Sequence, residues 1–146
     1  MQELKDRVNG FAQSVDERTQ KSFKIKTLYR VIEETERHQE NCEVCRAHVE
    51  QLSALVDKLE SALKNHEERS DYLGDLKAMQ QHFHKNHGFI TEGYYTSLGI
   101  SLGLCLGVAL ALSIFDNIAF MALGLPIGLG IGSSMDADAK KKGKVI

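Results

Sequence analysis

Two cysteines and a group of histidines are the residues of this sequence best suited to chemistry. Cys42 and Cys45 are three residues apart, a spacing that places both on one face of a helix, with His38 one turn earlier on that face. Thiolates and imidazoles together suit zinc in a tetrahedral site. Further nitrogen ligands would come from His82 and His87, if the chain folds back or a second subunit supplies them. These five residues are the predicted metal ligands.

Two other interpretations of the same residues stay open. Cysteine is also a small hydrophobic residue that packs well at a helix seam, and a pair of cysteines can act as a redox switch. The histidines at 82, 84 and 87 also suit a solvated helix end, because Gly88 is well placed to terminate a helix.

Asp116 is the single charged residue between Gly93 and Met135. In a symmetric oligomer it would form an acidic ring at a pore mouth, as in cation channels. Aspartate is also common in turns, which is the simpler interpretation. The sequence has no recognisable Ser/His/Asp set, phosphate loop or paired carboxylate, so we expect no enzymatic activity and no catalytic residues.

Charged and apolar residues are segregated along the chain. Residues 1–92 hold 17 of the 20 acidic side chains, 14 of the 18 basic ones and all six histidines. The net charge of −2 leaves no basic face to neutralise phosphates, which argues against a nucleic-acid partner. The chain therefore consists of a charged part followed by an apolar part.

The apolar part predicts two transmembrane helices. Residues 93–115 carry no charge and, as a helix at about 1.5 Å per residue, would cross a hydrocarbon core of about 30 Å. Residues 118–135 are just long enough by the same measure. Lysines follow the second segment and precede the first, so the positive-inside rule places both termini in the cytoplasm. The predicted location is a plasma membrane, with the lipid bilayer as a partner.

Glycines recur every four residues in both apolar segments. Each set removes the side chains from one helix face and allows a neighbouring backbone to approach closely. The two faces could pack against each other within one chain or form contacts between subunits. The packing residues are Gly99, Gly103 and Gly107 in the first segment, and Gly124, Gly128 and Gly132 in the second.

The last part of the chain combines a YYTSLG start, an IGLGIG unit and a short basic tail. Over about residues 87–146 it resembles small two-span glycine-zipper membrane proteins of bacteria, a family of unknown function. The resemblance implies a bacterial inner-membrane protein with this topology. It implies no activity.

The charged part predicts a coiled coil. Apolar or neutral residues recur at alternating three- and four-residue steps from Leu28 to His66, with charges on the flanks. The period slips near Arg69, which indicates either one long helix or a helical hairpin. So narrow an apolar stripe cannot stabilise a lone helix in water, so we expect the arm to self-associate.

The predicted fold class is all-α, a long coiled-coil helix or helical hairpin followed by a transmembrane glycine-zipper hairpin. Its parts are a short amphipathic helix over 1–22, a cytoplasmic arm over 23–88, transmembrane helices over 93–115 and 118–135, an external turn at 116–117 and a basic tail over 136–146. The expected function is that of a non-enzymatic homo-oligomer, either a membrane pore or a membrane-anchored scaffold. The alternative is a zinc- or redox-responsive regulator.

Overall fold

The computed structural model describes residues 1–112 and 119–146, and the described chain is almost entirely helical. Its contacts divide it into two compact units, residues 1–86 and 87–146. The helices are α1 (Gln2–Ser14), α2 (Glu17–Ser22), α3 (Ile25–His38), α4 (Glu43–Asp57), α5 (Leu59–Lys64), α6 (His66–His87), α7 (Tyr94–Leu110) and α8 (Ala119–Lys141).

The chain breaks into two helices where one amphipathic helix over 1–22 was expected. α1 ends at Ser14, and Val15 has extended backbone. Asp16 then starts α2, because its carboxylate accepts hydrogen bonds from the Arg18 and Thr19 amides at 3.1 and 3.4 Å. An aspartate in this position satisfies amides that have no partner inside the helix.

The single long coiled-coil helix is wrong. The helix that begins at Ile25 ends at His38, and a new one begins at Glu43 after Cys42 in extended backbone. A second break falls at Asn65, which is also extended. Leu28, Val31 and Leu52 of the predicted seam are fully buried, but within the chain's own bundle. The heptad pattern predicted these three positions correctly, but Leu63 of the same seam is 44% exposed, and the packing partner is another segment of the same chain.

Three aromatic rings tie the first helices of this bundle to α6. The Phe23 ring lies 5.8 Å from that of Phe11 and 5.6 Å from that of Tyr72. The Tyr72 hydroxyl, which is fully buried, donates a hydrogen bond of 2.8 Å to the Phe23 carbonyl oxygen. Arg69 lies over the Phe23 ring at 5.1 Å. The buried Tyr72 hydroxyl therefore has a hydrogen-bond partner.

In the second unit, α7 and α8 pack backbone against backbone along their glycines. A Cβ atom added to Gly128 would clash with the Gly99 carbonyl oxygen and lie 2.8 Å from its carbon. One added to Gly103 would lie 3.0 Å from the Gly128 Cα, and one added to Gly124 would lie 2.9 Å from the Gly107 Cα. The two glycine rows thus face each other within one chain, at a separation that only glycine permits.

The open ends of this helix pair are closed by two further interactions. The Asp136 carboxylate on α8 accepts hydrogen bonds from the Tyr95 and Thr96 amides, at 3.0 and 2.8 Å, and so caps the start of α7. Ile90 donates its amide to the Lys144 carbonyl and accepts one from Ile146, both at 2.9 Å. The C-terminal residues are therefore held beside the segment that leads into α7.

The predicted transmembrane hairpin is also wrong. Among the residues that the structure describes, no helix is both long enough and apolar enough to cross a bilayer. As described, α7 has 17 residues, about 26 Å at 1.5 Å per residue. α8 is longer but ends in a charged turn that includes Asp136 and Lys140. The predicted inner-membrane location is contradicted by the same finding. Asp116 and the turn at 116–117 lie outside the described residues.

Matched alanine substitutions at Gly128 and Gly130 should have effects of opposite sign. Gly128→Ala should lower the free energy of unfolding by about 1–3 kcal/mol, because the new methyl group meets the α7 backbone. Gly130 has nothing within 4 Å of the same position. Gly130→Ala should therefore raise stability by about 0.5–1 kcal/mol through helix propensity. Thermal and urea unfolding followed by circular dichroism measure both, and equal effects would contradict the packing described.

The Asp136 cap predicts a pH-dependent contribution to stability. Desolvation raises the pKa of Asp136, but hydrogen bonds from Thr96 and Tyr95 outweigh it and hold this pKa below the ordinary 3.8. A lowered folded-state pKa gives stability that is present above the ordinary value and lost as the pH falls through the folded-state value.

An asparagine here would keep one acceptor oxygen and no charge, so Asp136→Asn should destabilise the protein at neutral pH by about 1 kcal/mol, and the difference from wild type should shrink as the pH falls below about 4. Asp138→Asn is the control, since that exposed carboxylate pairs with Lys142 one turn on, at 2.7 Å, and does not cap α7. Melting temperatures across a pH series test this. A constant gap between wild type and Asp136→Asn would contradict it.

Candidate metal centre

Cys42 and Cys45 lie at the start of α4. Cys42 is the capping residue, and its sulfur accepts a hydrogen bond from the Cys45 amide at 3.5 Å. Cys45 is in the first helical turn and fully buried, whereas Cys42 is partly exposed. Because the chain breaks between α3 and α4, Cys42 takes the capping position, and its sulfur faces the first turn of α4, where Cys45 lies.

Two histidines near the end of α6 complete the group. The Sγ atoms of Cys42 and Cys45 each lie 3.4 Å from Nε2 of His82. With one ring nitrogen of His87, these ligand atoms all lie within 4.8 Å of one another. Cys42, Cys45, His82 and His87 can therefore hold a metal ion. Residues 40 positions apart are brought together by the packing of α6 along α4.

The spacing of these atoms fits a tetrahedral ion. Bonds of about 2.3 Å to sulfur and 2.0–2.1 Å to nitrogen at tetrahedral angles place sulfur and nitrogen ligands about 3.6 Å apart. Both Sγ–Nε2 distances to His82 are 3.4 Å. The longest separation in the group is no more than 4.8 Å. Side-chain rotations that move the ligand atoms by about 1 Å would therefore bring all four within bonding distance of one ion.

The surroundings shift the pKa values of the two thiols in opposite directions. The Cys45 amide, which points at the Cys42 sulfur, holds the pKa of Cys42 below its usual range despite desolvation. Burial raises the pKa of Cys45 to about 12, helped by its hydrogen bond with Cys42. In the metal-free protein Cys42 is therefore the thiol that ionises more readily. A bound cation would deprotonate both, because a coordinating thiol binds as the thiolate.

His38 is outside this group. Its Nδ1 atom donates a hydrogen bond of 2.9 Å to the Glu34 carbonyl oxygen, and its ring packs edge-on against Phe83. The sequence placed His38 on the cysteine face by assuming one continuous helix. The break after α3 removes that relationship. His84 is exposed and is also not a member.

His48 is a neighbour of the site that the sequence did not indicate. Its ring meets that of His82 edge-on, with centroids 5.2 Å apart, and is 92% buried. Nδ1 donates a hydrogen bond of 2.9 Å to the Gln51 side-chain oxygen, while Nε2 is buried without a hydrogen-bond partner. The His48 ring therefore packs against the ring of the proposed ligand His82. The available signal was its position, one turn after Cys45 on the same helix.

Comparisons of this chain with protein-family models, with curated proteins and with solved structures find no match. The resemblance to bacterial glycine-zipper proteins therefore stays a prediction from sequence motifs. The function has to be argued from the geometry of the cysteine–histidine group.

Proposed function

We propose that this protein is a non-enzymatic zinc-binding protein whose metal ties the start of α4 to the end of α6. The observation that supports it most is the convergence of Cys42 and Cys45 on a single nitrogen of His82, at equal distances of 3.4 Å. Two thiols and two imidazoles grouped this closely form the ligand set that a tetrahedral zinc site requires. His87 supplies the fourth ligand.

The ligand set selects zinc over the other common divalent ions. Magnesium and calcium prefer oxygen ligands, and this group offers two sulfur and two nitrogen atoms. Soft thiolates combined with imidazoles in a tetrahedral arrangement are typical of structural zinc.

Four protein ligands favour a structural or regulatory role over catalysis. Catalytic zinc sites keep one position open for water or substrate, whereas structural sites are closed. Cys42, His82 and His87 are partly exposed, so chelators and competing ions can reach the metal. Because the ligands come from two separate helices, zinc binding contributes directly to folding stability. The bundle would therefore be more stable in zinc-replete than in zinc-depleted conditions.

Metal titrations on two histidine variants test the site. We expect the full-length protein to bind one zinc per chain by elemental analysis, and cobalt to give the charge-transfer and visible absorption of a tetrahedral thiolate site. His82→Ala should weaken binding at least 100-fold, because it removes the nitrogen that both sulfurs face. His84→Ala, two residues on and exposed, is the control and should bind as wild type does.

Thermal unfolding with and without chelator gives the second measurement. The chelator should lower the melting temperature of wild type and His84→Ala, and leave that of His82→Ala unchanged. The reason is that the free energy of zinc binding adds to the free energy of folding only in a protein that binds the metal. Zinc well below one per chain, with identical melting in all samples, would overturn the proposal.

Self-association is a second candidate function, and the exposed apolar side chains of α7 and α8 favour it. Two rows at four-residue spacing, which we call the outer rows, are 46–63% exposed and consist of Leu98, Leu102, Leu106, Leu123, Ile127 and Ile131. Monomeric proteins rarely expose contiguous apolar patches of more than a few hundred Å². A second copy of this chain carries the same apolar surface, so the outer rows of two copies would cover each other.

Two lysine substitutions test this assembly. We expect wild type to be at least dimeric at micromolar concentration and Leu102→Lys/Ile127→Lys to dissociate, because buried lysines would lose their hydration. Light scattering after size exclusion measures the mass. Gln81→Lys, at an exposed position of α6, is the control and should leave the mass unchanged. A monomeric wild type would contradict self-association through these rows.

A further inference from the structure

Cys42 and Cys45 are positioned to bond to each other as well as to a metal. Cys42 has extended backbone, with φ −138° and ψ 115°, and Cys45 lies in the first turn of α4. Their sulfur atoms are within 4.8 Å of each other and face the same nitrogen of His82. A disulfide joins sulfurs about 2.05 Å apart between Cβ atoms about 3.8 Å apart. Both cysteines belong to the start of α4, so a bond between their sulfurs would require no change in the packing between helices.

The two sulfurs differ in access, which separates their roles. Cys42 is partly exposed at the end of the helix, whereas Cys45 has no exposed surface. A dissolved oxidant therefore meets Cys42 first. Cys45 is held at close range behind it, as a resolving thiol must be.

We propose that Cys42 and Cys45 form a reversible disulfide under peroxide, so that the site responds to oxidant. The Cys42 thiolate attacks one oxygen of hydrogen peroxide and breaks the O–O bond, which gives a sulfenic acid and hydroxide. The Cys45 thiolate then attacks that sulfur, forms the S–S bond and releases a second hydroxide. Both hydroxides take up a proton from solvent. The two sulfurs lose two electrons in total, and the peroxide is reduced to two waters.

Oxidation also removes the metal, and this part of the inference rests on the proposed zinc site. The thiolate is the form of cysteine that binds zinc, and the disulfide leaves neither sulfur as a thiolate. Only the imidazoles of His82 and His87 then remain of the four ligands. A dithiol reductant reverses the change by thiol–disulfide exchange and restores the complete ligand set. The bundle would then lose its zinc-dependent stability when peroxide rises and regain it on reduction.

The experiment uses the full-length Cys105→Ser protein, which leaves Cys42 and Cys45 as the only cysteines. Metal-free and zinc-loaded samples are treated with hydrogen peroxide. Alkylation counts the remaining thiols, intact mass and peptide mapping identify the bond, and a chromogenic chelator measures released zinc. In both samples we expect loss of both thiols, loss of two hydrogens in mass and full recovery with dithiothreitol. Zinc release from the loaded sample should follow thiol loss.

A further variant identifies the attacking sulfur. In Cys45→Ser/Cys105→Ser the reaction should stop at a Cys42 sulfenic acid, trapped by dimedone. The metal-free sample keeps the two proposals apart. A reversible 42–45 disulfide there, in a chain that takes up no zinc, would refute the zinc site and support the redox pair. Metal-free protein that gains oxygen at Cys42 irreversibly, or that only cross-links between chains, would overturn the redox pair whatever the zinc result.

Discussion

The burial of Phe83 between α3 and α4 fixes the register on which the candidate site depends. This ring is fully buried, with His38 on one side at 6.2 Å and His48 on another at 6.5 Å. Neighbouring residues on a helix point about 100° apart, so the buried Phe83 ring turns His82 toward the start of α4. Tyr72, three turns earlier, is held by its hydrogen bond to Phe23. α6 is thus fixed near both ends and cannot slip by one residue without losing a buried aromatic contact and the His82 position together.

The two units are stabilised in different ways. The first depends on the volume of side chains such as Phe23, Tyr72 and Phe83, which are buried between its helices. The second depends on the lack of side chains along the glycine rows, where the two backbones touch. Substitutions that enlarge a residue therefore act on the second unit at its helix interface, whereas truncations act mainly on the first.

The first unit buries two polar side-chain atoms without hydrogen-bond partners. Within the described residues, Thr35 Oγ1 and His48 Nε2 are buried without hydrogen-bond partners. Each such atom costs about 1–3 kcal/mol. Both lie on helices that contact Phe83 or its neighbours, and His48 packs directly on a proposed ligand.

The sequence by itself determined the local features. The three- and four-residue spacing identified Leu28, Val31 and Leu52 as buried, Gly88 ends α6 with a φ of +68°, and the spacing of the cysteines and histidines indicated a metal. Only the tertiary structure decided which segments pack against each other. A heptad pattern states which face is buried but not against what, since another chain and another segment of the same chain satisfy it equally. Hydropathy states that a segment is apolar but not how long a helix it forms, and no described helix is both long and apolar enough to cross a bilayer. His38 left the site and His48 joined its surroundings because the break before Cys42 changed the direction of the chain, and a turn of this kind depends on contacts between residues far apart in sequence.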